Sequence, residues 1–94
     1  MKQYYVYFAT NHTNSVIYVG VTNDIVRRMF EHREKSVAGF TAKYNVRKLV
    51  YYEVFDDPTL AIVKEKQMKK WHRDWKINII EQDNPNWDDL SNNL

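Results

Sequence analysis

Cysteine is absent from the 94 residues, which excludes a disulfide framework and a thiolate metal site and makes the cytoplasm the default compartment. No apolar run approaches membrane-spanning length, and Met1-Lys2 leads into a strand-like segment rather than the apolar stretch of a signal peptide. Internal repeats, low-complexity tracts and interdomain linkers are also missing. The expectation is one soluble domain, complete as it stands, with a single core and little margin. Its limits are set at residues 1–83, with 84–94 as a lightly ordered acidic tail.

A net charge of +2 conceals an uneven distribution. Residues 1 to 77 hold all 14 Lys and Arg against 8 Asp and Glu, a net +6, whereas residues 78 to 94 hold 4 acids and no base. A basic body suits a polyanionic partner. Seven Tyr and three Trp add rings able to stack on bases, although in so short a chain most are expected in the core.

Tyr4 to Thr10 alternates as a strand, with Tyr5, Tyr7 and Ala9 on one face and Tyr4, Val6 and Phe8 on the other. Asn11 to Asn14 reads as a turn and Ser15 to Val19 as the returning strand. Pairing Thr10 with Ser15 across a four-residue loop sets Tyr7 directly opposite Tyr18. Gly20 then supplies the turn out of the strand. Thr22, Asn23 and Asp24 favour a helix start, and the helix is expected from about Asn23 to Lys35, ending near Ser36 to Gly39. Arg28 and His32, four apart, leave this helix on one side, beside the core stripe of Ile25 and Met29.

Phe40 to Tyr44 is long enough for one helical turn, and Lys48 to Phe55 is the clearest strand. Asp57-Pro58 opens a second long helix, about Thr59 to His72. Its inward stripe takes in Ala61, Ile62, Met68, Trp71 and Trp75, and Glu65 falls on that stripe. A carboxylate there has to be paired or hold a cation, because an unpaired buried charge is costly. A further helical segment runs from Trp75 to Gln82. The order ββαβαα specifies an α+β fold, a small three-stranded antiparallel sheet flanked by helices.

Taken together, these residues resemble the GIY-YIG nuclease superfamily. Tyr5-Val6-Tyr7 stands at its first triplet and Tyr18-Val19-Gly20 at its second, ten residues apart; Thr22, Asp24, Arg28, His32 and then Glu65 follow in the family's order. Nearly the whole chain is similar to small stand-alone members related to the N-terminal domain of the repair excinuclease. Tyr5 replaces the usual glycine, and either Asn78 or Asn84 could stand for the family's late asparagine.

The resemblance implies hydrolysis of DNA phosphodiesters with one divalent metal, Mg²⁺ or Mn²⁺, held by Glu65. It also implies a setting in DNA repair or recombination. Arg28 would hold a nonbridging phosphate oxygen. Tyr7 would activate water, either as a phenolate or by passing its proton on to His32, and Tyr18 would hydrogen-bond the phosphate or Tyr7. Arg27, Lys43 and Lys69 are candidate DNA-backbone contacts. Ordinary structural readings compete: Arg28 pairing with Asp24 or Glu31, and Glu65 pairing with Lys69 at four-residue spacing. The alternative functions are a catalytically inactive nucleic-acid-binding module of the same fold, and a protein adaptor using Trp71, Trp75 and Trp87. With no recognition domain in view, the expected cleavage is structure-directed or nonspecific, with a homodimer or protein partner as the outside source of specificity.

Overall fold

The computed structural model describes residues 2–35 and 39–94. Three strands, β1 (Tyr4–Thr10), β2 (Ile17–Thr22) and β3 (Lys48–Phe55), form one antiparallel sheet in the order β2-β1-β3. The helices are α1 (Ile25–Glu34), α2 (Phe40–Lys43), α3 (Pro58–Lys69) and α4 (Arg73–Asp83), and a 3-10 turn over Leu90–Asn93 closes the chain. The α+β architecture expected from the pattern is the one observed.

Central β1 has two buried faces because alternate residues meet different helices. Val6 and Phe8 pack with Val19, Val50, Ala61, Met68 and Ile80 on the side of α3 and α4. Tyr7 and Ala9 pack with Ile25, Met29, Val46 and Leu49 on the side of α1. Edge strand β2 is therefore bracketed by α1 and α3, and both helices bring polar side chains to it.

Each long helix starts where its sequence provides a cap. The Asp24 side chain accepts from the Arg27 amide at 3.0 Å, and the Asp57 side chain accepts from the Thr59 amide at 2.8 Å, with Pro58 opening the first turn. Helix α1 ends at Lys35 in the left-handed conformation, φ 53°. Apart from Gly39, the break expected at Ser36 to Gly39 lies outside the described residues.

Three expectations are corrected. The hairpin register is shifted by two: Thr10 pairs with Ile17, so Tyr7 faces Gly20 and Tyr18 faces Ala9. The Asn11 side chain accepts from the Val16 amide at 3.1 Å and donates to Ser15 Oγ at 2.7 Å, which folds residues 11–16 onto themselves and delays the ladder. A shift of two preserves the face, so Tyr7 and Tyr18 remain neighbours. Gly20 accordingly lies within β2 rather than in a turn. On α3 the buried stripe is Ala61, Glu65 and Met68, whereas Ile62 is 43% exposed and Trp75, beyond the helix, 58% exposed.

Residues 84–94, expected as a tail, are part of the packed unit. The Asn84 amide donates to the carbonyls of Val50 (3.1 Å) and Asp88 (2.9 Å) and accepts from the Asp88 amide. Each such bond is worth about 1 kcal/mol net. Asp89 accepts from the Leu49 amide at the start of β3, and Arg33 of α1 donates to Ser91. No described helix is long and apolar enough to cross a membrane.

Candidate active site

The site is built on the contact between β1, β2 and α1. Tyr7 is fully buried, and its hydroxyl lies 2.8 Å from Nε2 of His32, itself 6% exposed. The tyrosine can reach that position because Gly20 is opposite: a Cβ at Gly20 would stand 2.6 Å from the Tyr7 hydroxyl and 2.8 Å from the Tyr18 ring. Close approach, not a turn conformation, is what this glycine provides. Tyr18 packs on Tyr7 (ring centroids 6.1 Å apart) and edge-on against His32 (5.7 Å).

Arg28, one turn before His32 on α1, lies 3.4 Å from Glu31, and its charge opposes the rise in the Tyr7 pKa. The Glu31 pairing expected of an ordinary helix arginine is thus present. Arg28 also lines a cleft of about 310 Å³ with Val21, Thr22 and Ile62. Ile62 belongs to α3, one turn before Glu65, so this cleft crosses the end of β2 from one helix to the other.

Glu65 is 7% exposed and its carboxylate holds the ammonium of Lys69, the neighbour anticipated from the spacing. The Glu65 hydrogen bond raises the Lys69 pKa, and the Tyr18 phenol adds to the rise. Lys69, expected as a backbone contact, is thereby engaged with Glu65. Arg27 is exposed, with only its amide used by the Asp24 cap. Lys43 lies 5.3 Å from the ring centre of Tyr44.

Burial pushes the Tyr7 phenol well above its ordinary pKa, Tyr18 adds to the rise, and Arg28 opposes it. These effects together favour the neutral phenol over the phenolate. Burial, and then the Arg28 charge, lowers His32 from 6.5 to about 4, with Glu31 pulling the other way. At neutral pH both partners are neutral, so one hydrogen of the pair is shared between oxygen and nitrogen.

The His32 shift carries a stability signature. As pH falls through 6.5, the unfolded chain takes up a proton on this ring, whereas the folded ring stays neutral down to about 4. Stability is lost progressively across that window, by about 3 kcal/mol in all. Urea unfolding at about pH 7 and about pH 5 should show a drop of about 2 kcal/mol in the native protein that largely disappears in His32→Asn.

Residues 3–78 match the family model described as the GIY-YIG catalytic domain. The chain belongs to the GIY-YIG family. Among its relatives is a UPF0213 protein of Haloquadratum walsbyi, 28% identical over 82 residues spanning 87% of this chain and 92% of that one. A UPF0213 protein of Staphylococcus haemolyticus is 30% identical, spanning 87% and 99%. The solution NMR structure of UPF0213 protein BH0048 from Bacillus halodurans superposes with a TM-score of 0.58 at 24% identity, covering 94% of this chain and 93% of that one. The last likeness concerns the fold alone.

In this GIY-YIG domain the two triplets lie on adjacent strands, β1 and β2, and bring both tyrosines to α1. Of the two candidate asparagines, Asn84 is buried and fully used in holding the C-terminal segment, and Asn78 is exposed. Of the three tryptophans, Trp71 and Trp75 meet edge-to-face at 6.1 Å, Trp71 and Trp87 pack against the core, and Trp75 is exposed. Phe40, stacked on Tyr18 at 6.0 Å, was not anticipated. Its only signal was an aromatic residue opening a short helical turn.

Proposed function

We propose that the protein is a metal-dependent endonuclease that hydrolyses DNA phosphodiester bonds, with Tyr7, Tyr18, Arg28, His32 and Glu65 as its working residues. The observation that carries this reading is the buried Tyr7–His32 bond of 2.8 Å, with Arg28 one turn before His32 on α1. A phenol hydrogen-bonded to an imidazole offers a relay along which a proton leaving water can pass, and Arg28, on the same helix as His32, is a candidate for the phosphate.

The donor set is compatible with such a metal. No group of three or more His, Asp or Glu side chains able to hold an ion occurs among the described residues. A hard cation that keeps its waters and takes substrate oxygens needs only one protein carboxylate. Glu65 is such a carboxylate, and it already accepts a cationic group, the Lys69 ammonium. The chemistry supplied by Mg²⁺ or Mn²⁺ at Glu65 is stabilisation of charge on the phosphate and the leaving oxygen.

The remaining roles belong to the chain. Arg28 presents a fork of donors to a nonbridging oxygen, which lysine would not reproduce. Tyr7 takes a proton from the attacking water as it gives its own to Nε2 of His32. The water oxygen bonds to phosphorus, the bond from phosphorus to the 3′ oxygen breaks, and that oxygen takes a proton from solvent. Tyr18 packs Tyr7 and His32 into position. Arg27, Lys43 and Lys69 are proposed to contact the flanking backbone, Lys69 once released from Glu65.

Incubating the protein with nicked, flapped, branched, duplex and single-stranded DNA plus Mg²⁺ or Mn²⁺ tests the proposal. Cleavage of at least one substrate is expected, and failure on all at high enzyme would overturn it. Tyr7→Phe should lower the single-turnover rate about a hundredfold without unfolding the protein, since only a general-acid–base group is removed. One contact favours a second reading, a binding module without turnover: Lys69 sits on the carboxylate the metal would need. That reading predicts salt-sensitive binding with no cleavage in any lane.

A further inference from the structure

Beside the site lies a run of aromatic rings that water activation does not use. Phe40 stacks on Tyr18 with centroids 6.0 Å apart and planes 29° from parallel. Tyr44 packs on Phe40 at 4.6 Å, and the Lys43 ammonium stands 5.3 Å from the centre of the Tyr44 ring. Tyr18 leads inward to Tyr7 at 6.1 Å and His32 at 5.7 Å. The rings therefore run unbroken from the buried phenol to solvent and end beside a cation.

The outer two rings are open to solvent. Phe40 is 48% exposed and Tyr44 40% exposed, and α2 buries none of its residues. Burying an aromatic of this size would contribute about 1.5–3 kcal/mol, so this turn forgoes stabilisation that the core could use. An aromatic face with a nearby cation, continuous with the Tyr18, Tyr7 and His32 rings in a body of net positive charge, matches the chemistry of a nucleotide. The base would stack, and its phosphate would meet Lys43 or Arg28.

We propose that Phe40 and Tyr44 form a stacking platform for an unpaired nucleobase next to the scissile phosphate. The preferred substrate is then a strand with an unstacked nucleotide at the cleavage point, such as a flap or a single-stranded junction, rather than continuous duplex. This rests on the endonuclease reading for its substrate. In a duplex each base is already covered by its neighbours, and exposing a face costs a few kcal/mol. A flap offers that face at little cost. Phe40 carries no side-chain donor or acceptor, so the platform selects for an open base and not for sequence.

The test uses full-length protein and oligonucleotides carrying 2-aminopurine, a base whose fluorescence is quenched on stacking. Native protein should quench the probe at one position of a flap or single strand and leave it unchanged in duplex. Phe40→Leu should weaken flap binding about 5- to 150-fold, the loss of one stacked base, with duplex binding unchanged, and Phe40→Trp should restore it. An abasic residue at the quenched position should reproduce the loss with native protein and add nothing to Phe40→Leu. The abasic arm decides the matter even where Phe40→Leu misfolds. Undiminished flap binding by Phe40→Leu, or by the abasic strand, overturns the platform, as does a protein partner covering this face in place of DNA. Quenching without cleavage supports the platform and counts against turnover instead, so the two readings fail separately.

Discussion

Glu65→Gln should lower the single-turnover cleavage rate about a thousandfold or more, corresponding to about 4 kcal/mol of transition-state stabilisation at a metal-assisted step, while DNA affinity changes little. Glutamine keeps the volume of the side chain and its place on α3, so packing against the sheet is retained; only the charge is lost. The competing explanation is that Glu65 exists to pair with Lys69. That pair is too weak to account for the burial. The Lys69 side chain is 52% exposed, and an ion pair with an exposed partner is worth about 0–1 kcal/mol, whereas burying a carboxylate costs several kcal/mol. Lys69→Met separates the cases. Lys69→Met strands the buried carboxylate, so a structural pair predicts that it destabilises the protein more than the neutral Glu65→Gln does; a metal-binding carboxylate predicts that cleavage in Mn²⁺ persists. Filter binding in EDTA beside rates in Mn²⁺ reads both.

How far the sequence reached depended on whether each feature was local. The limits of β3 were legible because Lys48 to Phe55 is rich in β-branched and aromatic residues, and the start of α3 because Asp57-Pro58 is a cap followed by a residue suited to the first turn. The hairpin register was not, since it turns on the Asn11 side chain capturing the Val16 amide, a bond no periodicity reports. The C-terminal segment was misjudged for a similar reason: the groups that bind it, the Val50 carbonyl and the Leu49 amide, belong to a strand more than thirty residues away.

For the site, residue types and order could be read directly, because Arg28 and His32 are one helical turn apart and the two tyrosines share a face under either register. The electrical environment could not. That Tyr7 is held neutral and His32 lowered to about 4 follows from burial between β1, β2 and α1, which exists only after folding. Gly20 shows the same limit, since a glycine ahead of a helix start looks like a turn until the strand opposite is known.

Gly20→Ala should therefore be far more damaging than the backbone suggests. Among the described glycines only Gly39 has a positive φ, at 125°, so alanine is allowed at position 20, and inside a strand it would ordinarily gain about 0.5–1 kcal/mol over glycine. Sterics reverse the sign. The new Cβ would lie 2.6 Å from the Tyr7 hydroxyl, 2.7 Å from Cζ and 2.8 Å from Cε2 of Tyr18. Tyr7 has no exposed surface into which to retreat and is tied to His32. Overpacking of this kind costs about 1–3 kcal/mol, and a reacting group displaced by about 1 Å loses about a hundredfold in rate. Urea unfolding and single-turnover cleavage should both show the damage. Adding Tyr7→Phe to Gly20→Ala should recover only part of the stability, because removing the hydroxyl relieves the closest contact but leaves Cζ in place. Full recovery would mean that the ring can shift, and unchanged stability and rate in Gly20→Ala alone would mean that the phenol does not depend on the space above Gly20.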